Sequence, residues 1–167
     1  MKIQNNSTFL FQGDSVTDAG RDRKDPAVLG NGYPMMFASW FSAFYPNIDV
    51  NFINKGNSGN RVRDLEARWQ EDCLDLKPTW VSILIGINDT WRRYDRNDPT
   101  SVEKFEAGYR NILTQVRENL DANIILCEPF VLPVPEDRIK WREDLDPKIN
   151  AVRNLAREFN TFLVPLD

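Results

Sequence analysis

The sequence predicts a three-layer α/β/α sandwich on a five-stranded parallel sheet. Three observations predict it. Short apolar runs alternate with helical stripes along the chain. Most of the runs are nearly continuous rather than alternating, as in strands covered on both faces. The first three runs end in glycines, amides and a serine, at the strand ends where open α/β sheets hold ligands.

The first run, Thr8–Gln12, leads into Gly13-Asp14-Ser15. Tyr33–Phe44 is apolar nearly all round and predicts a helix packed hard on the sheet. Val50–Asn54 is the second strand, followed by a stripe of Leu65, Trp69, Cys73 and Leu76 at helical spacing. Trp80–Ile85 is the third strand, with Trp80 in the core. Val102, Phe105, Tyr109, Ile112, Leu113, Val116 and Leu120 then make one face of a long helix, with Thr100 and Glu103 as its capping box. Asn123–Cys127 is the fourth strand, and Phe130–Asp144, rich in proline and charge, reads as a long loop over the strand ends. Asp146-Pro147 reads as cap and first-turn proline of a helix carrying Ile149, Val152, Ala156 and Phe159. Phe162–Val164 is the fifth strand.

Composition bounds the function. With 167 residues, 41% apolar and 28% charged, the chain reads as one domain, 1–167. A net charge of −4 and no basic stripe argue against a nucleic-acid partner. Met1–Asn6 lacks a signal-peptide core, and no apolar run approaches the roughly 20 residues of a membrane helix. Cys73 and Cys127 stand alone in apolar contexts and read as buried free thiols. A cytoplasmic protein without a membrane partner is expected. The chain has no histidine, the commonest metal ligand, and no metal or other cofactor is expected.

The chemistry concentrates at three strand ends. They are Gly13-Asp14-Ser15, Asn54-Lys55-Gly56-Asn57-Ser58-Gly59-Asn60 and Gly86-Ile87-Asn88-Asp89. Each alone has an ordinary explanation. Ser15 can cap a helix, Gly56 and Gly59 can be turn glycines, and Asn88-Asp89 can bond its own turn. Their joint occurrence, in this order and at these positions, is harder to dismiss.

The three blocks resemble those of the SGNH, or GDSL, hydrolase family, whose fold is a flavodoxin-like α/β/α sandwich. The text around them, Asn54 to Leu65 and Asn88 to Asp95, is similar to bacterial intracellular acetyl-xylan or acetyl-xylooligosaccharide esterases of that family. The resemblance implies a serine esterase acting on acetyl esters of carbohydrates, a small-molecule ester substrate, through an acyl-enzyme. Ser15 is its implied nucleophile. The Ser15 N–H, the Gly59 N–H and the Asn88 amide are its implied oxyanion donors. Asp14, Asp89, Trp91 and Arg92 form the substrate-side set. Within it Asp14 and Asp89 tie their turns together, and Trp91 stacks on a sugar at the site rim. Trp141 is expected at the rim as well, and Arg61 and Arg63 in surface ion pairs.

One part of the family's pattern is missing. Its last block, Asp-x-x-His, supplies the base, and these residues contain none. No helix follows the last strand either, so the expectation is a chain that continues for roughly forty or more residues past Asp167 and adds a covering helix. A protein that has lost its base is the alternative. Lys55 or a carboxylate makes a poor substitute at its ordinary pKa. Without that helix, copies of the chain are expected to associate. Two other functions stay open. One is a lysophospholipase or thioesterase with Phe130-Val131-Leu132 lining an acyl channel. The other is a ligand-binding domain without catalysis.

Overall fold

The structure is a computed structural model and describes residues 2–167. The strands are β1 (Ser7–Gly13), β2 (Val50–Gly56), β3 (Trp80–Leu84), β4 (Asn123–Cys127) and β5 (Phe162–Val164). All pair in parallel, in the order β2-β1-β3-β4-β5. The helices are α1 (Ser15–Asp18), α2 (Tyr33–Phe44), α3 (Val62–Ala67), α4 (Trp69–Asp72), α5 (Ile87–Arg96), α6 (Val102–Asn119) and α7 (Arg142–Glu158). Short 3₁₀ turns cover Leu74–Leu76 and Glu136–Trp141.

The pleat sends neighbouring residues to opposite faces. Leu10, Val81, Ile83, Ile85, Ile124 and Leu126 face one side and pack under Leu65 and Trp69, the α6 stripe from Phe105 to Val116, and Val152 and Leu155 of α7. Phe9, Phe11 and Trp80 face the other side, where Tyr33, Val50, Phe52 and Ile125 join them. The Phe37 ring of α2 lies 4.8 Å from Phe9, and Phe41 lies 5.9 Å from Phe52. This second face is covered over β2 and β1. Over β3, β4 and β5 it opens into an apolar cavity of about 390 Å³, bounded by Leu84, Ile125, Cys127, Phe130, Val164 and Leu166. Among the described residues no helix is long and apolar enough to cross a membrane.

Five local expectations need correction. First, α2 does not bury its whole circumference: Met36, Trp40 and Phe44 are 57%, 65% and 66% exposed, because its single sheet contact reaches only one side. Second, the stripe from Leu65 to Leu76 is not one helix; it breaks at Arg68 and again at Cys73. Third, the α6 cap is Ser101, whose hydroxyl accepts from the Lys104 N–H, one residue later than expected. Fourth, α7 starts at Arg142, so Pro147 lies inside the helix and Asp146 caps nothing. The proline deprives the Glu143 carbonyl of its helical donor, and Glu143 is exposed, so water can serve that carbonyl. Fifth, α5 was not foreseen as a helix: the side chains it buries are the polar Asn88, Asp89 and Thr90, which leave no apolar stripe to read.

The split of α2 into a packed and an open side has a direct test. Replacing the buried Phe11 by alanine should cost about 3–5 kcal/mol of unfolding free energy. Trp40→Ser should change it by less than about 0.5 kcal/mol. Urea unfolding of the two variants measures both.

Candidate active site

At the end of β1 the chain turns sharply into α1. A Cβ on Gly13 would lie 2.2 Å from the Thr17 hydroxyl oxygen and 2.4 Å from the Leu84 carbonyl, so only glycine fits. Asp14 caps α1, its carboxylate accepting from the Val16 N–H at 3.0 Å. Ser15 opens the helix and is exposed, and its hydroxyl makes no hydrogen bond among the described residues.

The second turn is stitched to the first. A Cβ on Gly56 would lie 2.2 Å from the Asp18 nitrogen, so α1 lies directly on the end of β2. Asn54 donates to the Thr17 and Leu29 carbonyls, both at 2.7 Å, and accepts from the Gly56 N–H at 2.8 Å. The Asn57 N–H donates to the Gly13 carbonyl at 3.0 Å. Asp18 accepts from both the Ser58 N–H and the Ser58 hydroxyl at 3.0 Å. Gly59 follows at φ +84°, a left-handed conformation that favours glycine, with open space where a side chain would stand. Its N–H has no partner among the described residues.

The third turn joins the second through Asn88, whose amide donates to the Asn60 carbonyl at 3.0 Å. An amide has two N–H donors, so one is left over. Gly86, at φ +135°, caps α5 and abuts Pro129. The neighbouring Asp89 is fully buried and accepts from the Val62 N–H at 3.1 Å, tying α5 to α3. The structure therefore brings Ser15, Gly59 and Asn88 together on three bonded turns. Asp14 and Asp89 are buried beneath these turns, Asp14 bonding within its own turn and Asp89 bonding α3.

Burial dominates the electrostatics. It pushes the Asp14 carboxyl up to about 6, against the Val16 hydrogen bond that lowers it. It pushes Asp89 up to about 7, against the Val62 hydrogen bond and the positive charge of Lys148. The Cys73 and Cys127 thiols are pushed up to about 12 and about 11 by the same cause, which leaves them unreactive. Lys55 is bonded to Asp72 at 2.8 Å.

Two residues, Trp141 and Arg61, differ from their expected settings. Trp91 is 37% exposed, with Trp141 at 5.7 Å and the Arg92 and Arg138 guanidiniums at 5.2 and 5.8 Å from its ring. Arg92 also pairs with Asp95. Trp141 is not at the rim; it is buried and stacks at 5.5 Å on Tyr94. Arg61 is not a surface residue; it is buried, and its guanidinium donates to the Asp98 carbonyl and carboxylate. Only Arg63 keeps the exposed setting expected of both. Arg68 was not foreseen at all: its guanidinium donates to Asn60, Gln12, Asp72 and the Gly13 carbonyl. It lies in the middle of an apolar stripe, and the break that turns it toward the strand ends leaves no signal in the sequence.

A free hydroxyl at a strand-to-helix turn, beside spare N–H donors on the next two strand ends, is the arrangement of a serine acyl-transfer hydrolase. Residues 11–167 match the GDSL-like Lipase/Acylhydrolase family, and the chain belongs to it. It is 39% identical over 172 residues to the acetylxylan esterase of Geobacillus stearothermophilus, covering 98% of this chain and 78% of that protein. A crystal structure of that esterase superposes with a TM-score of 0.89 at 37% identity, again over 98% of this chain and 78% of the other. A Parabacteroides merdae protein described as a GDSL-like lipase superposes with a TM-score of 0.93 at 36% identity, over 98% and 79% of the two chains. Solved catalytic mutants of the Geobacillus enzyme replace a serine, an aspartate or a histidine by alanine.

The two raised carboxyls set the pH dependence of stability. In the unfolded chain both lose their protons near pH 3.9. In the folded protein they hold them to about 6 and about 7. The folded state thus binds more protons across this window, and stability falls as pH rises through it. Asp18 and Asp72 are shifted down instead, so their stabilisation is already complete above about pH 5. Urea unfolding from pH 5 to 7 should show the decline, and Asp89→Asn should flatten its upper part.

Proposed function

We propose that this protein is a serine esterase that removes acetyl groups from carbohydrates through an acyl-enzyme on Ser15. The observation that carries the reading is the bonding of three strand-end turns into one unit. It leaves the Ser15 hydroxyl, the Gly59 N–H and one Asn88 N–H without partners at its surface. Attack by the Ser15 oxygen on an ester carbonyl moves negative charge onto the carbonyl oxygen. The Ser15 and Gly59 N–H groups and the Asn88 amide are the donors for that charge. The acetylated-sugar substrate is inferred from the 39% identical acetylxylan esterase. Trp91 and Arg92, one turn of α5 beyond Asn88, are the sugar-side residues of this reading. The buried free thiols Cys73 and Cys127 suit the reducing cytoplasm, where we place the protein.

The serine proton needs an acceptor. The 167 residues contain no histidine, and Lys55 is engaged by Asp72. Without an imidazole, both acylation and deacylation by these residues alone are slow, since a positioned base contributes about 100- to 10,000-fold.

A second reading has an observation in its favour. The apolar cavity of about 390 Å³ begins at Val16, the neighbour of Ser15, and could hold a longer acyl chain, as a lysophospholipase or thioesterase requires.

Incubation with p-nitrophenyl acetate, followed by intact mass and peptide mapping, tests the proposal. The expected product is one acetyl group on Ser15, absent from Ser15→Ala. An unmodified Ser15 in a chain that still binds acetylated xylooligosaccharide would leave a binding domain without catalysis. Asn88→Ala should slow the step by about 100-fold or more with little change in the half-saturating ester concentration. Faster reaction with the octanoate than with the acetate ester would favour the second reading.

A further inference from the structure

We propose that Arg68 is a positioning residue of this site, setting the oxyanion turn against the nucleophile turn. The inference rests on the reading of Ser15, Gly59 and Asn88 given above.

The geometry is specific. Arg68 closes α3, and the chain breaks there before α4 starts at Trp69, with φ −114° and ψ 10° at the break. A continuous helix would carry this side chain elsewhere; the break directs it to the carboxyl ends of β1 and β2. Its Nε donates to the Asn60 side-chain oxygen at 2.9 Å. One terminal nitrogen donates to Gln12 at 3.0 Å and to Asp72 at 2.9 Å. The other donates to the Gly13 carbonyl at 3.3 Å.

Two of these acceptors belong to the site. Gly13 stands two residues before Ser15, and its carbonyl also receives the Asn57 N–H. Asn60 stands next to Gly59, and its own carbonyl receives the Asn88 amide. One planar guanidinium thus spans the turn that carries the nucleophile and the turn that carries an oxyanion donor, and through Asn60 it reaches the other donor. Gln12 and Asp72 hold the guanidinium in plane. Gln12 is fully buried and donates to the Asp72 carbonyl at 2.6 Å, while Lys55 takes the other Asp72 oxygen. Only a fork of several N–H groups makes these bonds at once, which an ammonium does not.

The alternative is a structural ion pair, Arg68 with Asp72 at i,i+4, of no consequence for the chemistry. Labelling of Ser15 by a fluorophosphonate separates the two. The Ser15 oxygen bonds to phosphorus, fluoride leaves, the hydroxyl proton passes to solvent, and no deacylation follows. Intact mass gives the rate against probe concentration for the wild type, Arg68→Met, Arg68→Lys and Asn60→Ala. Arg117→Met is the control, because Arg117 also bridges carbonyls, those of Ala122 and Phe159, but far from the strand ends.

The expected result is a maximal labelling rate lowered about 10- to 100-fold in Arg68→Met and Asn60→Ala, with the half-saturating concentration within twofold of the wild type. Arg68→Lys should remain nearly as slow as the methionine variant. Arg117→Met should lower the melting temperature and label at the wild-type rate. Wild-type labelling in Arg68→Met, or full recovery with lysine, overturns the proposal. If Arg68→Met does not fold, Asn60→Ala decides on the same terms. Wild-type protein that forms no Ser15 adduct overturns the reading of the site and the proposal with it.

Discussion

The candidate site depends first on the absence of two side chains. At Gly13 and Gly56 the backbone of β1 and β2 meets α1 so closely that a single methyl group would sit 2.2 Å from an atom of that helix. The contact seats the first turn of α1 across two strand ends. Every bond that follows uses this closeness: Asn54 reaching the Thr17 carbonyl, Asp18 reaching Ser58, the Asn57 N–H reaching the Gly13 carbonyl. Ser15 stands exposed because the residues around it are fixed by backbone contacts and leave its hydroxyl unused.

The support beneath the site is polar, unlike the core a few residues below it. On the closed face of the sheet, Leu10, Ile83 and Leu126 are held by apolar packing. At the strand ends Asp14, Asn54, Arg61, Asn88 and Asp89 are just as buried but held by hydrogen bonds. Apolar packing tolerates small slides, whereas a bonded turn has one arrangement. A site that stabilises charge with fixed donors needs the second kind of support. The raised carboxyls Asp14 and Asp89 show its cost: buried acids that favour their neutral form up to about pH 6.

This difference in support decides what could be read from the sequence. The strands are legible as continuous apolar runs, α2 as a segment apolar nearly all round, and α6 and α7 because burial of one face leaves a period in the apolar residues. The turns carrying Gly13, Gly59 and Asn88 stand out in the sequence by their joint occurrence at three strand ends, and it is the family resemblance that implies their roles. α5 was not legible, since its inward side chains are polar. Arg61 and Arg68 were not either. An arginine read alone is most often a solvated cation, and only the break at Arg68 and the depth of Arg61 reveal them as anchors. The start of α7 was misplaced because Pro147 reads as a first-turn residue, and only an exposed, hydratable carbonyl at Glu143 lets it sit further in.

The two sides of Ser15 are chemically unequal, and that bears on which half of an ester goes where. One side leads by Val16 to the apolar cavity between α2 and β5. The other leads by Asn88 along α5 to Trp91 and the guanidiniums of Arg92 and Arg138. A sugar placed in the cavity would bury hydroxyls against leucine, phenylalanine and valine, at a cost of a few kcal/mol for each group left unpaired. On the α5 side the same hydroxyls meet N–H donors. On the reading proposed above, the carbohydrate sits with α5. The cavity concerns only the acyl group, and an acetyl group is too short to need much of it. On the same reading, whatever fills that cavity sets the longest acyl chain the site accepts, while the sugar lies along α5.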